Sequence, residues 1–391
     1  MNVFSDSPVD RHGTNSYKWD SVDQQNILPF WVADMDFRVA PAIQNAIYKQ
    51  CIHGVFGYSF VPDDYFLATV NWLGRRYGFT IQKEWVIYTT GVLPAISAIL
   101  KAITIPGDGV IVQSPVYNHF FSCIKNQACR LISNELRYVN GCYDMDYDDL
   151  EHKASDPSNK VLLLCNPHNP VGRSWSEEAL TRVGEICHKN DVLVISDEIH
   201  CDLVHHERKH TPFASISQEF SLNSVTCLSP SKGFNIAGLQ VANIICENEG
   251  LRERINRAVN IHEVCDVNCF AAEALIAAYN ESETWLEQAK AYIYANYLLL
   301  VDVLSREAPH ISALPLEATY LAWLDCSVLG VKSDDLVKKI FEKTGVLLSS
   351  GSLFGSAGEG FVRINLACPR SQLEQGLKKI SDFFISSVPE S

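Results

Sequence analysis

Between Glu84 and Cys246, short β-branched apolar runs alternate with amphipathic stretches of helical spacing. The runs are WVIYTT, GVIVQSP, KVLLLCNP, DVLVISDE, VTCLSP and QVANIIC. This alternation predicts a parallel sheet wrapped by helices, one large α/β domain. Between the third and fourth runs, Ser176 is placed to cap the helix EEALTRVGEICHKN, with Glu177 and Glu178 in its first turn.

After about residue 285 the pattern changes. A long helical stretch, EQAKAYIYANYLLLVDVL, precedes the strand-like TYLAWLDCS, a helix around DDLVKKIFEK, the strand-like FVRINLAC and a final helix. A capping box from Ser371 to Glu374 is expected to open that last helix. The reading divides the chain into 1–45, an N-terminal segment packing with the small domain, 46–285, a large α/β domain, and 286–391, a small α+β domain. No Gly/Ser linker separates the halves, so a cleft between packed domains is expected. In open α/β sheets, ligands sit beyond the carboxyl ends of the strands.

The 391 residues, 47% of them hydrophobic, supply ample apolar material for more than one core. A formal charge of −14 argues against a nucleic-acid or anionic-membrane partner but leaves room for a small anion held by local donors. No apolar run approaches the roughly 20 residues that span a bilayer, and MNVFSDSPVDRHG lacks the basic and apolar regions of a secretory signal. A soluble, cytoplasmic protein is expected. The 13 cysteines are scattered through apolar stretches without a CxxC pair, which predicts reduced core residues.

The strand-end rule directs attention to Asn166–Gly172, to Asp197–His200, to Ser229–Asn235 and to the turn Thr89–Thr90–Gly91 that feeds a helix. Singly, each has a plain reading as a turn, a helix cap or a solvated lysine. Together they answer one chemical need. An aldehyde cofactor with a phosphate tail requires an amine, an acid facing its ring nitrogen, a donor to its phenolic oxygen and a nest of N–H groups. Lys232, Asp197, Asn169 and the Gly91–Val92–Leu93 turn offer these.

At these residues the chain resembles the fold type I enzymes that use pyridoxal 5'-phosphate (PLP), the class I/II aminotransferase superfamily. It is most similar there to the MalY/PatB group of cystathionine β-lyases. The resemblance runs through PFWVADMDF, HGVFGYS, TGVLPAIS, SPVYNHF, NPHNPVGR, SDEIHCDL, HTPFASIS, SPSKGFNIAGLQ, TYLAWLD and FVRINLACPR, nearly the whole chain in order. It implies a large, mainly parallel seven-stranded sheet beside a smaller α+β domain. It also implies PLP as cofactor, a sulfur amino acid as substrate, and cleavage to thiol, pyruvate and ammonia. Lys232 would bind the cofactor covalently and shuttle the proton, Asp197 would face the pyridine nitrogen, Asn169 the phenolic oxygen, and Tyr117 would stack on the ring with His200 nearby. Val92, Leu93 and Ser229 would hold the phosphate, joined by Tyr58 from the second subunit of a homodimer. Arg363 would grip the substrate carboxylate through its two-pronged fork.

Gln240 stands where aminotransferases at large often carry arginine, and His200 where they carry tyrosine. Both favour a lyase, with an aminotransferase on the same scaffold as the alternative. Gly233 and Ala318 stand where threonine and glycine are expected, which puts a phosphate contact in doubt. Asp34 and Asp36 are open between lining the substrate entrance and shaping a turn. The stretch His206–His210 spells HExxH, a zinc-peptidase pattern. Pro212 follows too closely for a continuous helix and no third ligand stands nearby, so a connecting loop, and no metal, is expected.

Overall fold

The computed structural model describes residues 9–22, 27–205, 208–261 and 266–386. All six apolar runs form strands of one sheet, and a seventh joins them. Across the sheet the order is Val86–Thr89, Ala242–Ile245, Ser224–Leu228, Leu193–Asp197, Asn159–Cys165, Gly109–Val112 and Arg130–Ser133. Ala242–Ile245 runs antiparallel to both neighbours, and the four remaining pairings are parallel.

The strands at the centre are apolar on both faces because helices cover both. Leu163 and Ile195 pack in one cluster with Ile96 and Ile99 of the helix Val92–Ile103. Leu162, Leu164 and Val194, their neighbours along the same strands, pack on the other side with Leu180 and Val183 of the helix Glu177–Lys189. Each such side chain, fully buried, contributes about 1.5–3 kcal/mol. Ser176 caps the second helix as its sequence predicts, accepting from the Ala179 amide at 3.2 Å.

A smaller antiparallel sheet takes the order Ser312–Ala313, Leu321–Asp325, Phe361–Asn365, Ser349–Ser350. Near the N-terminus, Leu28–Pro29 pairs in parallel with Val346–Leu347, which ties that segment to the C-terminal part. A separate hairpin, Arg137–Val139 with Cys142–Asp144, turns through Asn140 and Gly141, both at positive φ (52° and 77°), the backbone that matches strand twist in a two-residue turn.

Two expectations are corrected. The last helix, Arg370–Ile385, begins after Pro369, so Ser371 lies inside it and forms no capping box. The Arg370 amide donates instead to the Tyr292 hydroxyl at 2.8 Å, a cap supplied by the long helix Glu283–Glu307. All cysteines of the described residues are free, but Cys51 and Cys142 are exposed rather than core residues. They sit on a helix surface and in the separate hairpin, where no core is available. Among the described residues no helix is long and apolar enough to cross a membrane.

Candidate active site

Parallel register places Cys165 opposite Asp197, and Asp197 opposite Cys227, so three successive strands end at one edge of the sheet. The segments that follow them, with Asn169, His200, Ser229 and Lys232, therefore emerge side by side. They enclose a cavity of about 200 Å³ whose wall includes Val92, Leu93, Tyr117, Asn169, Asp197, His200, Ser229 and Lys232. Arg363 reaches the same place from the middle of the small sheet, where it pairs with Trp323 and Ser349. Its Nη1 donates to Asn169 Oδ1 at 3.0 Å. Tyr58 is not on this wall; it is 99% exposed at another surface of the chain.

Burial sets the charges of the site. It pushes the Lys232 amine down to about 8, with Arg363 adding and Asp34 and Asp197 opposing. It pushes the Asp197 carboxyl up to about 7, against a hydrogen bond from the Ile199 amide (3.1 Å) and the nearby lysine. An acid held there needs a cation to remain fully ionised at neutral pH. His200 is driven down to about 3 by burial and by Lys232 and Arg363, so its ring is neutral. Burial likewise raises Tyr117 to about 12 and lowers Arg363 to about 10.

These groups fit a pyridoxal phosphate. The near-neutral Lys232 amine is a nucleophile for an aldehyde, and Asp197 is an acid waiting for a cation such as a protonated pyridine. Asn169 has its oxygen occupied by Arg363, which leaves its NH₂ to donate to a phenolic oxygen. Gly91 caps the helix Val92–Ile103 without a side-chain hydrogen bond, so the first amides of that helix face the cavity as an anion site. On the same wall His200 Nδ1 is buried with no hydrogen-bond partner among the described residues. Ser229 departs from expectation in detail. Its hydroxyl donates to the Val241 carbonyl at 2.5 Å and accepts from the Ser231 amide at 3.0 Å, so it must turn to meet a phosphate.

Some residues of the site were not singled out by motif. The Lys232 Nζ donates to the carbonyl of Ala33 at 2.6 Å, and the Tyr320 hydroxyl donates to the same oxygen at 2.8 Å. The Arg363 Nη2 donates to the carbonyl of Trp31 at 3.0 Å. Signals existed in the unusual run WVADMDF and in the aromatic of TYLAW, but backbone acceptors leave no mark in side-chain pattern. Gly233 has a physical reason: a Cβ there would lie 3.0 Å from the Asp202 Cβ. Asp202 is itself fixed by the Trp72 indole (2.9 Å) and the Tyr77 hydroxyl. Of HERKH, His206 and Glu207 lie outside the described residues. Arg208 to His210 form no helix, and His210 Nε2 is committed to Glu198 Oε2 at 2.8 Å.

Comparison with known proteins places this arrangement. The family model for aminotransferase class I and II matches residues 42–380. Cystathionine beta-lyase PatB of Bacillus subtilis (strain 168) is 40% identical, over 96% of this chain and 98% of its own. Protein MalY of Escherichia coli (strain K12) is 34% identical, over 94% and 95%. The crystal structure of cystalysin from Treponema denticola, which contains a pyridoxal 5'-phosphate cofactor, superposes with a TM-score of 0.93 at 34% identity, covering 96% of this chain and 97% of that one. With the lysine, acid, asparagine and arginine gathered at the strand ends of the same fold, the chain belongs to the class I and II aminotransferase family and, within it, to the PatB/MalY group.

Proposed function

We propose that this protein is a PLP-dependent carbon–sulfur lyase that cleaves a sulfur amino acid to a thiol, pyruvate and ammonia. The observation that carries the reading is the gathering of Lys232, Asp197 and Asn169 on the wall of one cavity, with Arg363 hydrogen-bonded to Asn169 beside it. When bound, PLP supplies an electron sink for the pair left when the α-proton of an amino acid is removed. The chain's own residues do the rest. Asp197 would stay ionised if paired with a protonated ring nitrogen, and would keep that proton in place. Tyr117 covers the ring face. Arg363 fixes the α-carboxylate by its fork and so aligns the α C–H bond. Lys232, whose amine burial lowers to about 8, has a substantial neutral fraction near that pH and would take the α-proton. The electron pair left at the α-carbon forms the α,β double bond as the sulfur departs with the C–S pair, and water completes the release of pyruvate and ammonia.

The same reading makes the protein a cytoplasmic homodimer in which Tyr58 reaches the partner's phosphate site. It treats 1–45 as an N-terminal segment, 46–285 as the PLP-binding domain and 286–391 as the small domain. Its relative PatB, a cystathionine beta-lyase, and the absence of an arginine at Gln240 support elimination over transamination. The test is an assay of the purified, PLP-loaded protein on cystathionine, on cysteine, and on an amino donor with a keto acid. Pyruvate and thiol in equal amounts are expected. Keto acid turned into amino acid without pyruvate would assign it as an aminotransferase.

A further inference from the structure

Behind the site lies a cluster of four charges to which the reaction above gives no part. Lys18 has a side-chain exposure of 0%, a placement that is strongly unfavourable for an ammonium unless it is paired. Its Nζ lies 2.7 Å from Asp36 Oδ2 and 3.5 Å from Asp34 Oδ1, and donates to the Asp34 carbonyl at 3.4 Å. Arg11 closes the cluster, with Nη1 2.7 Å from Asp36 Oδ1 and Nη2 2.7 Å from Asp34 Oδ2. The Trp19 indole adds a hydrogen bond to Asp36 Oδ1 at 2.9 Å. Two cations thus meet two anions, and the local charge cancels.

The acids belong to a strap, Trp31–Asp36, that forms neither helix nor strand. Its carbonyls must therefore find partners elsewhere. On the site side, Arg363 donates to Trp31 O and Lys232 to Ala33 O. Both contacts are temporary in the proposed reaction: Lys232 leaves to bond the cofactor, and Arg363 turns to hold the carboxylate. Asn365 donates to Val32 O (2.6 Å) and Asp34 O (2.7 Å), Asn235 exchanges hydrogen bonds with the Met35 backbone (2.9 and 3.0 Å), and the Asp36 amide donates to Ala367 O (2.8 Å), but all of these hold backbone atoms and leave the two carboxylates to be neutralised. The charge cluster grips the strap through those carboxylates.

We propose that Lys18 is a positioning residue: its buried ammonium, gripping Asp36 and the backbone of Asp34, keeps the strap in place over Lys232 and Arg363 while those two residues change partners. Asp34 and Asp36 are then neither entrance residues nor turn formers alone, but the anchoring points of that clasp. The proposal rests on the lyase reading for its kinetic arm only.

The test uses the PLP-loaded protein and two variants, Lys18→Met and the neutral pair Lys18→Met with Asp36→Asn. Hydrogen–deuterium exchange should rise at least about tenfold in peptides covering 27–37 and stay unchanged in Asn159–Cys165. For cystathionine, kcat/KM should fall on the order of 10- to 100-fold, chiefly through KM, as a misplaced carboxylate grip predicts. The double variant, in which Arg11 again faces a single carboxylate and the cluster's charge balances, should recover much of the thermal midpoint while strap exchange and KM stay altered. Unchanged strap protection in either folded variant overturns the proposal. So does a recovery of KM in step with the midpoint, or a loss of protection spread evenly over the chain. If Lys18→Met does not fold, the double variant decides. If the wild-type protein forms no pyruvate, the lyase reading fails and the exchange arm still judges the clasp.

Discussion

A lysine that burial holds near 8 is half neutral at that pH, whereas an ordinary lysine is almost wholly protonated there. Capture of PLP by the cofactor-free protein, followed by the visible absorbance of the bound cofactor, should therefore rise with pH and level off above about 8. Lys232→Ala should show no such band and lose at least about 10²–10⁴-fold in pyruvate formation. The opposite pair of shifts also governs stability. Asp197 is raised, so its contribution is present below its ordinary value of 3.8 and lost as pH rises through about 7; Lys232 is lowered, so its contribution is present above 10.5 and lost as pH falls through about 8. The buried neutral His200 gives the opposite slope, so the midpoint difference isolates the acid: relative to wild type, the cofactor-free Asp197→Asn protein should gain thermal midpoint as pH rises from about 4 to about 7. At Arg363, replacement by lysine keeps the charge and loses the fork. Charge-assisted hydrogen bonds are worth about 1.5–3 kcal/mol, so KM in steady-state assays should rise roughly tenfold or more, with kcat less affected.

At the scale of elements, the strand ends carry more than the residues that face the cavity. Glu198, next to Asp197, points the other way and accepts from Ser196 Oγ (2.8 Å), the Phe213 amide (2.9 Å) and His210 Nε2 (2.8 Å). Strand end and following loop are thus pinned by one buried carboxylate. His210→Ala removes one of three partners from a buried carboxyl group and should cost about 1–3 kcal/mol in urea unfolding, the penalty of a buried polar group left short of a hydrogen bond. What sequence revealed follows the same logic of burial. The five inner strands were legible because both faces are covered and their runs are continuously apolar, and the edge strand Val86–Thr89 because its run is nearly as apolar. Arg130–Ser133 was not, because it is an edge strand with an exposed arginine, the composition that edges favour. The Asn140–Gly141 turn carried a signal that could have revealed its hairpin. The cap of the last helix was illegible because Tyr292, 78 positions away, replaces the local serine. Lys232, Asp197, Asn169 and Arg363 were recognisable by motif. The strap was not, since its role lies in carbonyls whose partners stand about 200 to 330 positions away.

At the scale of the whole molecule, one stretch is out of keeping with a solitary chain. Val55, Phe56, Tyr58 and Phe60 are exposed by 68%, 59%, 99% and 84%, on a segment anchored to its own chain by the Ser59–Val267 bridge and the Phe56–Phe270 contact. Contiguous apolar exposure of this kind marks an association surface. If Tyr58 completes the partner's phosphate site, each cavity is built from two chains, and defects in different chains can complement. Tyr58→Ala should weaken PLP binding, measured by release of the cofactor on dilution, and Lys232→Ala should be inactive. Neither alters the other's contribution to a mixed dimer. In a mixed dimer one cavity then has Lys232 from one chain and Tyr58 from the other, while the second cavity lacks both. Co-refolding the two variants in equal amounts should make half of the dimers mixed, and so restore about a quarter of wild-type activity at limiting PLP, as two-fold symmetry requires. Activity no higher than the mean of the two parents would mean that Tyr58 serves its own chain or none, and that the exposed segment has another occupant.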